Sequence, residues 1–130
     1  RADLRTHVDA GKPVWAECGG MLALLESITL ADGRGAPLWG LLPGRAAMRR
    51  RLAALGPRVL PMETGELRGH TFHYSTTESP AAVCAHTARP GEGVADEPVY
   101  RHGSIRASYF HAWFASSPQA TAALFTAGAA

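Results

Sequence analysis

Residues 14–25 read VWAECGGMLALL, and this stretch gives the clearest indication of the fold class. Its first three residues are an apolar run typical of a short buried strand. Cys18 is followed by two glycines, which tolerate the backbone dihedral angles of a sharp turn. The apolar helix formers from Met21 onward predict a helix directly after that turn. The stretch therefore predicts a strand, a glycine-rich turn and a helix, with a cysteine at the turn.

The remaining segments continue this alternation of helix and strand. Residues 1–10 predict a helix capped by Gly11, and residues 118–126 predict a last helix with Pro118 in its first turn. The predicted strands are 67–74 and 81–85, and 99–100 and 105–110 predict a hairpin. Residues 32–44 and 90–98 are rich in glycine and proline and predict loops, whereas 45–55 has apolar residues at helical spacing. The order predicts an α/β domain.

Length and composition narrow the class of protein. The chain has 130 residues, a formal net charge of +2 and two cysteines, which suits one domain without a disulfide framework. No apolar run approaches the ~20 residues of a membrane span, and no signal-peptide pattern opens the sequence. Arginines are scattered apart from a triplet at 49–51, without interleaved aromatic residues. We expect a cytoplasmic protein that binds neither nucleic acid nor membrane.

Cys18 is the first candidate for chemistry. The N-terminus of the following helix is expected to favour the thiolate and so depress the pKa of this cysteine. The backbone N–H of Gly19 is a candidate oxyanion donor, and Glu17 is expected to hold the turn through backbone hydrogen bonds. The alternative is an inert buried cysteine, the usual state of a free cysteine in a core.

Six histidines compete for the role of base. His111 follows the predicted strand 105–110, where active-site residues of α/β sheets tend to lie, although it could equally be a half-buried histidine among aromatics. His70 and His73 are three apart in a strand and should face opposite sides of the sheet. Cys84 is expected to be a small core residue. With His86 it offers weak metal-ligand spacing, so we expect no metal site.

Three motifs resemble one family, in the order expected of it. WAECGGML at residues 15–22 resembles the nucleophile motif of cobyrinic acid a,c-diamide synthases. GHTFHYS at 69–75 resembles that family's GHEFHYS segment, with Thr71 in place of glutamate. ASYFHAWF at 107–114 resembles its C-terminal ASYxHxHF motif. The resemblance covers nearly the whole chain.

The resemblance implies an α/β fold of the class I glutamine amidotransferase type, a sheet flanked by helices that lacks its first strands. Residues 1–130 would be a fragment of the glutaminase domain, and 45–55 would be extended instead of helical. It implies Cys18 as nucleophile, His111 as base and His73 near the site. Glutamine would supply ammonia to a synthetase domain, in which ATP and Mg²⁺ activate the a and c carboxylates of cobyrinic or hydrogenobyrinic acid.

The chain also departs from the pattern. Many class I amidotransferases have a glutamate two residues after the histidine, where this chain has Trp113, so the residue orienting His111 is unassigned. No G-x-x-x-x-G-K-[S/T] loop occurs, so no cofactor is expected in this fragment, and the second oxyanion donor is missing too. Weak glutaminase activity at best is expected, and exposed strand edges favour a homodimer. The alternatives are an inert amidotransferase-like binding or structural module and, further off, a small zinc-binding domain.

Overall fold

The computed structural model describes residues 1–126. Its helices are α1 (Ala2–Asp9), α2 (Gly19–Leu24) and α3 (Pro118–Leu124), with a 3₁₀ turn at Phe114–Ser116. Its strands are β1 (Val14–Glu17), β2 (Ser27–Thr29), β3 (Gly35–Pro37), β4 (Arg45–Met48), β5 (Ala54–Met62), β6 (Gly65–His73), β7 (Ser75–Glu78), β8 (Ala82–Ala88), β9 (Ala95–His102), β10 (Ile105–Ser108) and β11 (His111–Trp113). The fold is mixed α/β, as predicted, with strands predominating.

The strands form two sheets. The larger has seven strands in the order β1-β10-β9-β8-β5-β6-β11, and the smaller has four in the order β3-β2-β4-β7. In the larger sheet β1 and β10 pair in parallel, with Val14 opposite Ile105 and Glu17 opposite Ser108, whereas its other pairs are antiparallel. The parallel pair brings the end of β1 to the end of β10, where Cys18 begins its turn.

Two apolar clusters hold the layers together. The first packs α2 against β1 and β10, and it is built from Ala16, Met21, Leu24, Leu25, Leu41, Leu42, Ala46, Tyr100, Ile105, Ala107 and Tyr109. The second lies under α3 and contains Leu60, Leu67, Val99, Phe110, Ala120 and Leu124. Ala16 joins the first cluster and Trp15 packs on the second, as the alternation of side chains along a strand requires.

Several local predictions are confirmed. The turn at Gly11 is left-handed, with φ of 72° after α1, and Ser117 caps α3 by accepting the N–H of Ala120. The hairpin of β9 and β10 turns at Gly103, with Ile105 opposite His102. No helix within the described part of the chain has the length and apolar character needed to cross a bilayer.

The helical spacing in residues 45–55 was misleading. Residues 45–48 form β4 and β5 begins at Ala54, so this region is extended, as the family resemblance implied. Leu52 is 39% exposed and Leu55 is 62% exposed, so the apolar spacing does not mark a buried helix face. Strand pairing with β7 and β6 decides the conformation instead.

Two positional predictions also need correction. His111 does not end the strand that begins at Ile105, because β10 stops at Ser108 and His111 opens β11, which pairs with β6 opposite His70. The Ser108 hydroxyl accepts the N–H of Phe110, which turns the chain out of β10. Cys84 is an exposed residue of β8 and not a core residue.

The pairing of β6 with β11 depends on Gly69, which gives the first stability prediction. A Cβ added at Gly69 would strike the carbonyl oxygen of His111 and lie 2.6 Å from the Phe110 ring. We expect Gly69→Ala to lower the free energy of unfolding by roughly 1–3 kcal/mol, as overpacking does. Gly35→Ala is the control, because its Cβ would lie 3.9 Å from the nearest atom, the Ile28 carbonyl oxygen. Equal stability of the two variants in urea denaturation would contradict this role of Gly69.

Candidate functional site

Cys18 has the most unusual backbone in the site. Its φ is 46° and its ψ is −112°, and it is the one non-glycine residue with positive φ in residues 1–126. Such a conformation costs free energy for a side chain with a Cβ, and it recurs at functional turns. The Cys18 N–H donates to the Ser108 carbonyl at 2.8 Å, so the turn is fixed to the end of β10. Gly19 and Gly20 leave open space beside it.

The thiol of Cys18 points toward β6. It donates to the backbone carbonyl of Phe72 at 3.8 Å, a long contact that suits a weak S–H donor. Within the part of the chain that the structure describes, no hydrogen bond joins this thiol to His111. The sulfur is half-buried.

The thiol is not acidified in this structure. Burial raises the pKa of Cys18 above its ordinary value, the Gly19 N–H lowers it, and the carboxylates of Glu97 and Glu17 raise it further. The sequence led us to expect a depressed pKa from the helix that follows. That helix, α2, has six residues, and desolvation together with two nearby negative charges outweighs its N–H groups. Below the raised pKa, Cys18 rests as a thiol.

His111 lies at the start of β11, between the ring of His70 and the carboxylate of Glu17. One side stacks on the His70 ring, with centroids 4.9 Å apart and planes 16° apart. On the other, Nδ1 lies 3.7 Å from Oε2 of Glu17. The other oxygen of that carboxylate, Oε1, accepts the Trp15 indole N–H at 2.7 Å and the Ala112 backbone N–H at 3.0 Å. The first and last strands of the larger sheet therefore meet at Glu17.

His73 forms a second, more deeply buried imidazole–carboxylate pair. Its side chain is 8% exposed, and its Nε2 lies 2.5 Å from Oε1 of Glu97, whose side chain is 11% exposed. Nδ1 lies 2.8 Å from the Ser75 carbonyl, which can only accept, so Nδ1 carries a hydrogen. The ring is therefore held at both of its nitrogens, by a backbone carbonyl at Nδ1 and by a side-chain carboxylate at Nε2.

Residues around this pair complete a polar network. Tyr109 stacks on the His73 ring at 3.5 Å between centroids, and its hydroxyl bonds to Ser75 and Thr77. Burial raises the pKa of Tyr109, while the hydrogen bonds from Ser75 and Thr77 lower it. Thr71 donates to Oε1 of Glu97 at 3.1 Å. At the position where the related motif has glutamate, this chain therefore has a hydroxyl bound to a glutamate from β9.

The sequence did not identify Glu97 or Tyr109 as residues of this region. Glu97 falls in a segment predicted as loop, and the departure at Thr71 was the one signal that a carboxylate had to come from elsewhere. His70 and His73 do face opposite sides of β6, since His70 is exposed and His73 buried. No three side chains of His, Cys, Asp or Glu in residues 1–126 converge as metal ligands.

The chain belongs to the CobB/CobQ-like glutamine amidotransferase domain family, whose model matches residues 1–119. It is 47% identical over 114 residues to a cobyrinate a,c-diamide synthase of Herminiimonas arsenicoxydans, covering 88% of the chain and 26% of that protein. It is also 47% identical over 121 residues to a hydrogenobyrinate a,c-diamide synthase of Pseudomonas aeruginosa, covering 93% of the chain and 28% of that protein. The chain spans about a quarter of the length of these curated relatives.

The charge of Glu97 gives a prediction about the thiol. Glu97→Gln removes a negative charge that raises the pKa of Cys18, so more thiolate exists at any given pH. In wild type, the rate at which iodoacetamide alkylates Cys18 should rise about tenfold per pH unit below that pKa, because only the thiolate reacts. In Glu97→Gln the whole rate profile should move to lower pH. The measurement is peptide mass spectrometry, which counts Cys18 separately from the exposed Cys84.

The control for this comparison is Glu92→Gln, an identical change at an exposed position in the loop before β9. Its profile should match that of wild type. A Glu97→Gln profile that coincides with wild type, or moves to higher pH, would contradict the electrostatic influence of Glu97 on the thiol.

Proposed function

We propose that this chain is the glutaminase part of a glutamine-dependent amidoligase, with Cys18 as its nucleophile. The observation that carries the proposal is the backbone of Cys18, strained at the junction of β1 and α2. A strained turn between a strand and a helix presents its side chain outward and leaves adjacent N–H groups free for an oxyanion. Membership of the glutamine amidotransferase family supports glutamine as the substrate.

The proposed reaction proceeds through a γ-glutamyl thioester. The Cys18 thiol gives its proton to His111 as the sulfur attacks the carboxamide carbon, and the carbonyl electrons move onto oxygen. Gly19 N–H stabilises that oxyanion. The C–N bond then breaks with its electron pair leaving on nitrogen, and His111 returns the proton so that ammonia departs. His111 next takes a proton from water, the hydroxide cleaves the thioester, and the proton returns to sulfur, which leaves glutamate.

The raised pKa of Cys18 makes the base necessary. A resting thiol cannot attack until its proton has been removed, so His111 and Cys18 have to approach each other when glutamine binds. The long S–H contact to the Phe72 carbonyl is weak enough for the sulfur to exchange partners. Hydrogen bonds at a catalytic centre often tighten only once substrate is present.

We further propose that the whole protein amidates the a and c carboxylates of cobyrinic or hydrogenobyrinic acid, as the names of the relatives suggest. Ammonia from the glutaminase domain, of which residues 1–130 would be a fragment, would reach a synthetase domain that uses ATP and Mg²⁺. The residues present do not fit ATP. Gly11 and Lys12 follow the C-terminus of α1, where the helix dipole disfavours phosphate, and no phosphate loop occurs in the sequence. We also propose that the whole protein acts in the cytoplasm and forms a homodimer.

An inert binding module is the second candidate. It is favoured by the raised pKa of Cys18 and by the thiol contact to a backbone carbonyl, both of which suit an unreactive cysteine. The two functions differ in whether Cys18 loses its proton and reacts when a glutamine analogue binds.

The diazoketone 6-diazo-5-oxo-L-norleucine tests this difference on the chain itself. With a working nucleophile, the proton of the thiol passes to the diazo carbon, the sulfur displaces dinitrogen from that carbon, and the rest of the reagent stays on sulfur as a thioether. We expect saturable labelling at Cys18, protection by glutamine and no labelling of Cys84, measured by peptide mass spectrometry. Labelling of both cysteines at similar rates, or no protection by glutamine, would favour the inert module.

In a protein that joins this chain to its synthetase domain, Cys18→Ser should abolish glutamine-dependent amidation and leave amidation with free ammonia intact. The serine hydroxyl is far less acidic than a thiol and cannot form the thioester. Coupled assays with each nitrogen source measure the two rates, and Cys84→Ser is the control. A Cys18→Ser enzyme that retained its glutamine-dependent rate would overturn the proposed function.

A further inference from the structure

The carboxylate of Glu17 is held so that one oxygen is fixed and the other is available. Oε1 receives both anchoring donors, the indole N–H of Trp15 and the backbone N–H of Ala112. The side chain is 24% exposed, so solvent reaches it only in part. A carboxylate oxygen with two N–H donors is well satisfied, which leaves the second oxygen as the free acceptor.

That free oxygen, Oε2, faces His111. It lies 3.7 Å from Nδ1, beyond a direct hydrogen bond but near enough for its negative charge to favour an N–H at that atom. Stacking on His70 restricts the ring plane. Since the Ala112 N–H belongs to the residue after His111, the same carboxylate also fixes the backbone that carries the ring.

No carboxylate is present at the position where many class I amidotransferases have one. Two residues after His111 stands Trp113, whose side chain is 60% exposed. A base that accepts the thiol proton becomes an imidazolium, which a negative neighbour at Nδ1 stabilises. The ion pairs within residues 1–126 give His111 one carboxylate partner, and it is Glu17.

We infer that Glu17, the residue just before the nucleophile, is the positioning residue of His111 and fixes its neutral ring with the hydrogen on Nδ1. Nε2 is then unprotonated and can take the thiol proton. This inference rests on the proposed function. A single carboxylate thus serves both halves of the site, since β1 carries it next to Cys18 and its free oxygen reaches β11.

The tautomer of the ring is the direct test. In ¹⁵N-labelled wild-type chain at a pH where His111 is neutral, long-range ¹H–¹⁵N spectra should show hydrogen on Nδ1 and a bare Nε2. Glu17→Gln puts an amide N–H₂ group or a weaker acceptor opposite Nδ1, so the tautomer population of His111 should move toward the Nε2–H form. A purely structural role of Glu17 would not require this change of tautomer. A wild-type ring with its hydrogen on Nε2 would overturn the inference without any variant.

Kinetics of labelling by 6-diazo-5-oxo-L-norleucine provide the second test. Glu17→Gln also removes a charge that raises the pKa of Cys18, which alone would speed labelling. The maximal labelling rate should nevertheless fall by on the order of tenfold or more, because the general base loses the group that positions it. The reagent concentration at half-maximal rate should stay the same, because Glu17 does not touch the reagent. Glu17→Asp keeps the charge and should restore part of the rate. Glu92→Gln is the matched control at an exposed site.

Trp15→Phe keeps the charge of Glu17 and removes one anchoring donor, so it should lower the labelling rate less than Glu17→Gln does. Unlabelled Cys18 in wild type would mean that the proposed function fails, while the wild-type tautomer still decides the role of Glu17. Normal labelling of wild type together with an equal rate in Glu17→Gln would overturn the inference alone. Should Glu17→Gln not fold, the wild-type tautomer and the Glu17→Asp and Trp15→Phe rates decide it.

Discussion

The geometry of the site depends on the hydrogen bonds that one carboxylate oxygen, Oε1 of Glu17, accepts. Five strands separate β1 from β11 in the larger sheet, so hydrogen bonding between neighbouring strands alone does not bring these two strands together. The sheet curls so that the N–H of Ala112 in β11 donates to the Glu17 side chain in β1. The two edge strands are therefore joined by a side-chain hydrogen bond and not by backbone pairing. A hydrogen bond to a charged group contributes about 1.5–3 kcal/mol, so this contact also stabilises the curl.

The sequence predicted the local structure better than the long-range pairing. The strand, turn and helix around Cys18 follow from residues adjacent to one another, and so does the hairpin of β9 and β10. The path of His111 does not, because Phe110 is drawn under α3 into an apolar cluster with residues from distant strands. The apolar spacing in residues 45–55 likewise gave way to pairing with β6 and β7, partners that no local pattern reveals.

The candidate site divides in the same way. Cys18 and His111 stand in motifs that can be recognised in the sequence, and their catalytic roles remain predictions. The acidity of the thiol could not be foreseen, because it depends on burial and on Glu97, which is distant in sequence and lies in a segment predicted as loop. Two imidazole–carboxylate pairs act near Cys18. The His111–Glu17 pair is partly open to solvent, and the His73–Glu97 pair is almost fully buried.

The hydrogen bond between Thr71 and Glu97 constrains which substitutions this buried cluster can accept. His73 has an acidic neighbour, Glu97, which β9 supplies, while β6 contributes the hydroxyl of Thr71. Restoring glutamate at position 71 while Glu97 remains would place two negative charges beside one ring in a buried space. Losing Glu97 first would leave the ring without its carboxylate. Positions 71 and 97 are therefore coupled, so the effect of a substitution at either one on stability depends on the residue at the other.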